Sequence, residues 1–105
     1  MIAYPEAAAV FTVGLSAKTE GSLTIAGTTG YIYVPSPWWK TEYFEVRDDF
    51  GKTVRKVYVP FVGDGLRYEL AAFVNQIGSL ESTNVWSPED SLAVLELLIN
   101  ARERV

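Results

Sequence analysis

Residues 24–40 read TIAGTTGYIYVPSPWWK, and this stretch sets the fold. Its GTTG segment, residues 27–30, has the glycine spacing of a phosphate-binding loop, but such a loop leads from a strand into a helix. Here side chains alternate in polarity before the segment and after it, and no helical period begins. The stretch therefore predicts a hairpin turn between two antiparallel strands.

The same alternation extends over the first half of the chain. Strands are predicted over residues 7–15, 22–26, 31–34, 42–47 and 53–59. Short turn segments separate them, which favours antiparallel pairing. Apolar residues then recur at three- to four-residue spacing, which predicts helices over residues 66–77 and 88–103, the second opened by Ser87 as N-cap. We expect an α+β fold: a mostly antiparallel, open-faced sheet of about five strands with two helices on one face.

Composition limits the class of protein. The chain has 105 residues, enough for a single domain, and a net charge of −4 with scattered basic residues, which argues against a nucleic-acid partner. It contains neither cysteine nor histidine, so thiol nucleophiles, the commonest metal ligands and the usual general base are excluded. No apolar run is long enough to span a bilayer, and the first residues lack the basic region of a signal peptide. A cytoplasmic protein without a membrane partner is expected.

Further segments suggest chemistry at first sight. Residues 63–65, Gly-Asp-Gly, precede a predicted helix but lack the third glycine of a dinucleotide fingerprint. We interpret them as a turn with an Asp or Gly N-cap. Asp48 with Asp49, and Glu42 with Glu45, suggest paired carboxylates. Asp48 and Asp49 fall in a predicted hairpin turn, where Asp is favoured for hydrogen bonds to its own backbone.

Trp38 and Trp39 form an aromatic pair between Pro37 and Lys40. Indole rings stack on sugar faces and are frequent at protein interfaces, so both residues are substrate or interface candidates. The alternative is structural: one indole covers the edge of the core and the other is partly exposed.

Tyrosines give a second group of candidates. The predicted alternation allows one aromatic face, formed by Tyr31, Tyr33, Tyr43 and Tyr58. Such a face usually marks an interface, although ordinary cross-strand pairing also accounts for it, and both can hold. Arg67 and Tyr68, in the first turn of a predicted helix, are candidates for substrate contact or belong simply to a solvated helix start.

The order of several short motifs resembles the C-terminal part of the glucose-fructose oxidoreductase/inositol dehydrogenase/rhizopine-catabolism (Gfo/Idh/MocA) family. A G-T-x-G-x-I-x-V hairpin is matched by Gly27, Thr28, Gly30, Ile32 and Val34. Two helical motifs are matched by Glu69, Phe73 and Ile77, and by Ser87, Ser91, Leu92, Leu97 and Arg102. The resemblance covers nearly the whole chain.

This resemblance implies a function for the parent protein. Full-length members carry an N-terminal Rossmann domain that binds NAD or NADP, a Glu-Lys-Pro segment with a catalytic lysine, and an acid/base histidine or tyrosine; the chain has no Glu-Lys-Pro and no histidine. We therefore expect the C-terminal oligomerisation and substrate-side domain of an NAD(P)-dependent oxidoreductase acting on sugars, cyclitols or related polyols. By itself the chain should be inactive and bind neither cofactor nor metal.

The expected partners are the Rossmann domain of the parent chain, which the sequence lacks, and a second copy of this chain associated through the sheet. Association by a sheet edge, for which residues 7–15 are a candidate, and by a sheet face both remain open. A second hypothesis is a stand-alone α+β module that binds a ligand or protein with its aromatic sheet face. Saturable binding of a polyol or nucleotide by this chain alone would favour the second hypothesis.

Overall fold

A computed structural model describes residues 1–78 and 87–103 of the chain. Its strands are β1 (Ile2–Ala3), β2 (Ala8–Ala9), β3 (Leu23–Ala26), β4 (Gly30–Val34), β5 (Tyr43–Asp48) and β6 (Thr53–Tyr58). A 3-10 turn covers Trp38–Lys40, and the helices are α1 (Leu66–Gly78) and α2 (Pro88–Glu103). All strand pairs are antiparallel, so the predicted α+β class is confirmed.

The chain divides into two compact units. One contains Met1–Phe11 and Gly65–Val105, and therefore β1, β2 and both helices; the other is Thr12–Asp64 and contains β3 to β6. In the second unit the four strands pair in sequence order, β3-β4-β5-β6. The predicted bounds of these strands and of both helices agree with the structure to within one residue at each end.

The predicted strand over residues 7–15 is wrong in extent. Only Ala8–Ala9 is a strand there, and it pairs with Ile2–Ala3 across a turn in which the N–H of Tyr4 donates to the carbonyl of Ala7 at 2.7 Å. Val10, Phe11, Val13 and Leu15 have strand-forming or apolar side chains, yet they lie outside any ladder and are exposed. Strand propensity describes how a side chain fits a pleated surface, and it does not supply a partner strand. The main sheet consequently has four strands instead of about five.

The hairpin interpretation of residues 27–30 is confirmed. The N–H of Gly27 donates to the carbonyl of Gly30 at 2.8 Å, and the segment joins β3 directly to β4. Gly30 also has a role in packing, because a Cβ atom at this position would lie 2.4 Å from the carbonyl oxygen of Arg47 on β5. The glycine therefore lets β4 and β5 approach each other at the end of the hairpin.

The turn between β5 and β6 is built around Asp48. Its Oδ1 accepts hydrogen bonds from the N–H groups of Phe50 at 3.1 Å and Lys52 at 2.8 Å, while Gly51 takes a φ of 80°. This is the backbone-bonding role predicted for the aspartate pair.

Each helix begins as the sequence indicates. The carbonyl of Gly65, a residue with a φ of 87°, accepts the first hydrogen bonds of α1 from Tyr68 and Glu69, so this glycine is the N-cap. At α2 the Ser87 Oγ accepts from the N–H of Asp90 at 3.1 Å, and Asp90 Oδ2 accepts in return from the Ser87 N–H at 2.8 Å. This reciprocal pair is a capping box.

The four-stranded sheet has two faces of different chemistry. The tyrosine face carries Thr24, Ala26, Tyr31, Tyr33, Tyr43, Glu45, Arg47, Thr53, Lys56 and Tyr58. The aliphatic face carries Leu23, Ile25, Ile32, Val34, Phe44, Val46 and Val57, and Val54 lines a shallow depression with Ile25, Ile32 and Val46. Val34 is the one buried residue among those described, at 8% exposed, so the aliphatic face holds what core the sheet has.

Candidate functional site

The strand register brings the sequence-predicted tyrosines onto one surface. Tyr31 lies opposite Arg47, and Tyr33 lies opposite Glu45, on the neighbouring strand β5. Tyr43 lies opposite Tyr58 on β6. Because directly opposite residues share a face, these pairs form three adjacent rows across the sheet. The predicted aromatic face is thus present, and polar side chains lie between its tyrosines.

Glu45 is the centre of this face. Its Oε2 accepts hydrogen bonds from Arg47 Nε at 2.8 Å and from Thr53 Oγ1 at 2.9 Å, and Arg47 Nη2 also lies 2.8 Å away. Its other oxygen, Oε1, accepts a hydrogen bond from the Tyr43 hydroxyl. The Glu45 side chain is 13% exposed, so a nearly covered carboxylate has both of its oxygens satisfied by neighbours.

Arg47 connects this carboxylate to the tyrosines of β4. Its guanidinium carbon lies 4.4 Å from the ring centroid of Tyr33 and 5.9 Å from that of Tyr31. Both distances lie within the range in which a cation is attracted to an aromatic ring. The guanidinium is therefore held on one side by an anion and on another by two rings, which fixes its position.

The hydrogen bonds have a clear electrostatic effect. The Tyr43 hydroxyl, followed by Arg47 and Thr53, stabilises the ionised Glu45 and lowers its pKa to about 2. The same bond raises the pKa of Tyr43. Hydrogen bonds to Tyr31 and Glu45 raise the pKa of Arg47. At neutral pH Glu45 is an anion, Arg47 a cation and Tyr43 a neutral phenol, so the opposite charges balance.

At the β6 edge of this face, Glu42 fixes a fourth tyrosine. Glu42 Oε2 accepts from the Tyr58 hydroxyl at 3.2 Å, and Oε1 accepts from the N–H of Phe61 at 2.8 Å. The charge of Glu42 raises the pKa of Tyr58, a residue that remains 66% exposed. Tyr58 is therefore oriented at its hydroxyl end and open to a partner along its ring.

Trp38 and Trp39 form a separate exposed corner in the same unit. Their rings are nearly perpendicular, with an interplanar angle of 88° and centroids 6.2 Å apart. The backbone N–H of Trp38 donates to the carbonyl of Gly21 at 2.8 Å. The ring of Trp39 lies against the same glycine, where an added Cβ atom would be 2.9 Å from the nearest ring carbon. Trp38 and Trp39 are 48% and 68% exposed, so each residue is partly covered and partly open to solvent.

Arg67 and Tyr68 lie in the first turn of α1, as predicted, and both are exposed. They belong to the other compact unit and are not part of the tyrosine face. Glu45 was considered from the sequence only as a possible carboxylate pair with Glu42, and Arg47 was not among the candidates. Their signal was present in the spacing, because residues 43, 45 and 47 of one strand share a face.

Within residues 1–78 and 87–103 no three carboxylate-type residues lie close enough to hold a metal ion. Neither of the helices there has the length and apolar character that crossing a membrane requires. Comparisons of the chain with protein-family models, curated proteins and solved structures find no match.

Proposed function

We propose that this chain is the oligomerisation and substrate-side domain of a cytoplasmic NAD(P)-dependent oxidoreductase that acts on sugars, cyclitols or related polyols. Two observations support this proposal. The motifs of residues 27–34, 69–77 and 87–102 resemble the C-terminal part of the Gfo/Idh/MocA family, and the first of them forms the hairpin that the resemblance implies. The tyrosine face supplies a surface suited to association.

The observation that carries the proposal is the arrangement around Glu45. Tyr and Arg are enriched in the cores of protein interfaces, where unpaired charges are depleted. On the tyrosine face Arg47 is already paired with Glu45 at 2.8 Å and lies over Tyr33, so its charge is balanced before any partner arrives. A partner that covers this face has to desolvate rings and satisfied polar groups, which costs less than burying an isolated ion.

The same arrangement favours a non-catalytic role. A general acid or base works best when its pKa lies near the working pH. The pKa of Glu45 is about 2 and that of Tyr43 is raised, so near neutral pH neither group exchanges its proton readily. In the proposed parent the reacting groups belong to other parts of the protein, and this domain contributes contacts.

Sedimentation velocity tests the association surface. Lys56 is exposed on the tyrosine face opposite Glu45, and Lys52 is exposed in the β5–β6 turn. Lys56→Glu combined with Tyr58→Ser should weaken self-association about tenfold or more, whereas Lys52→Glu, which has the same charge change, should leave it unchanged. Equal weakening by both variants would show a general charge effect and contradict a specific role for this face.

The second candidate, a stand-alone binding module, is favoured by one observation: both indoles of the Trp38–Trp39 corner are exposed. Perpendicular rings present a face and an edge to one ligand, which suits a sugar ring. Calorimetric titration of the chain with glucose and with inositol separates the candidates. Saturable binding that Trp39→Ala abolishes, in a chain that stays monomeric, would replace the first proposal with the second.

A further inference from the structure

The strand β3 is an outer strand of the four-stranded sheet, and half of its backbone groups point away from it. The N–H of Gly27 donates to the carbonyl of Gly30. In an antiparallel pair every second residue bonds to the neighbouring strand, so Ile25 and Leu23 are the β3 residues whose backbone groups bond to β4. Thr24 and Ala26 then direct their N–H and C=O groups outward. Among the described residues, no group pairs with them.

This edge carries no charged residue, proline or bulge that would block pairing. Lysine, proline and β-bulges protect exposed edges. The opposite edge, β6, has Arg55 and Lys56 and a register shift beside Val46. In β3 the residues are Leu-Thr-Ile-Ala, and the chain carries no charged residue between Glu20 and Lys40. The two edges of this sheet therefore differ, and β3 is the one without charged residues or a register shift.

We propose that β3 pairs antiparallel with β3 of a second copy of this chain, around a two-fold axis at Ile25. In this register Thr24 lies opposite Ala26 of the second copy. Each of these two residues donates one N–H and accepts at one C=O, so the two copies together form four hydrogen bonds. No other register within Leu23–Ala26 pairs all of the outward groups of that strand with one another.

Side chains agree with the same register. Ile25 lies opposite its own symmetry mate in a pair without hydrogen bonds, where the Cα atoms are about 4.5 Å apart and side chains are closest. Ile25 is 53% exposed, and this contact covers it while joining the two aliphatic faces. On the other side of the sheet the facing residues are Thr24 and Ala26, which are small enough to admit a neighbouring strand.

A second copy fits this edge better than an unrelated peptide because the strand is complementary to itself. A two-fold axis places identical apolar side chains together and requires no opposite charge from the partner. Edge pairing and the proposed function share one assumption, that copies of this chain associate, but they use different surfaces. Variants of each surface therefore separate the two.

Disulfide trapping tests the register directly, since the chain contains no cysteine. Ile25→Cys should form a covalent dimer on mild oxidation, because opposite Cα atoms at about 4.5 Å suit a disulfide. Val54→Cys, at an exposed position lining the same depression, is the matched control and should remain mostly monomeric. Cross-linking of Ile25→Cys no greater than that of Val54→Cys would overturn the proposal.

A second pair of variants tests the hydrogen bonds. Thr24→Pro removes an outward N–H without breaking a bond to β4, and Thr24→Val keeps that N–H at similar size. Thr24→Pro should weaken self-association at least about tenfold, because two hydrogen bonds per dimer are lost, while Thr24→Val should not. Equal behaviour of the two variants, or a chain that is monomeric at every concentration, would overturn edge pairing.

The variants of the tyrosine face complete the comparison. A dimer that Thr24→Pro dissociates but Lys56→Glu with Tyr58→Ser does not supports edge pairing and contradicts association by the tyrosine face. The reverse result contradicts edge pairing and leaves the proposed function standing. The polyol and cofactor side of the proposed function is tested separately, by titration.

Discussion

Arg47 Nε and Nη2 both lie 2.8 Å from one oxygen of Glu45, Oε2, two positions earlier on the same strand. Thr53 donates to that oxygen as well, from the far side of the β5–β6 turn. One carboxylate oxygen thus gathers donors from two strands, and the other oxygen binds Tyr43. The ionised form of Glu45 is part of what holds the tyrosine face in shape.

Because the ionised form of Glu45 stabilises this face, the stability of the fold should depend on pH. The folded-state pKa of Glu45 is depressed from an ordinary 4.5 to about 2. A carboxylate whose pKa is lowered by folding stabilises the folded state at pH values above its unfolded-state pKa. This stabilisation is lost as the pH falls through its folded-state pKa. The free energy of unfolding should therefore decrease from pH 4.5 down to about 2. The lowered pKa values of Asp64 and Asp90 add to the same trend.

Urea unfolding followed by circular dichroism at several pH values measures this slope. Glu45→Gln should flatten the acid limb, because the titrating group is gone, and should lower stability at neutral pH, because Arg47 loses its ion pair. Glu20→Gln, at an exposed position, is the control and should keep the wild-type slope. An acid limb that is identical in Glu45→Gln and wild type would show that other carboxylates cause it.

Gly30 gives a prediction about packing. Gly30→Ala places a Cβ atom 2.4 Å from the carbonyl oxygen of Arg47, so β4 and β5 must separate there. We expect a loss of about 2 kcal/mol or more in the free energy of unfolding. Gly27→Ala is the matched control in the same hairpin, since its Cβ would meet the nearest atom at 3.4 Å. A similar loss for the two variants would place the cost in the flexibility of the turn instead of the contact.

Sequence patterns were sufficient to predict the structures that form between residues close together in the chain. The turns of residues 27–30 and 48–52 and the cap at Ser87 depend on neighbours within a few positions, so the sequence predicted them. The strand over residues 7–15 was overestimated because a ladder needs a partner from elsewhere in the chain. The role of Glu45 also escaped prediction, because it requires the register that brings Thr53 beside it.

The helix cap is tested by removing one hydroxyl. Ser87→Ala loses the bond from the N–H of Asp90 to Ser87 Oγ and should destabilise α2 by about 1 kcal/mol. Amide hydrogen exchange in the first turn of α2 is the appropriate measurement, because it reports local opening. Ser87→Thr retains the hydroxyl and should restore protection. Failure of threonine to do so, with equal exchange in both variants, would contradict a capping role.

The last prediction concerns the nicotinamide cofactor. A dinucleotide site needs a glycine-rich turn that leads from a strand into a helix, with the pyrophosphate at the helix N-terminus. Residues 27–30 lead from one strand into another, so they offer no such terminus. Gly65 does open α1, but it follows directly after the carboxylate of Asp64, whose pKa is lowered by Lys40 and which is therefore an anion at neutral pH. Asp64 is paired with Lys40 at 2.7 Å, so this lysine is already engaged and would have to leave its partner to bind a phosphate. Calorimetric titration with NADH and with NADPH should consequently give no saturable heat at micromolar concentration, while the same cofactor solutions titrated into a nicotinamide-dependent dehydrogenase confirm that they are intact. A saturable signal that Trp39→Ala leaves unchanged and Arg67→Ala removes would instead place a cofactor site at the start of α1.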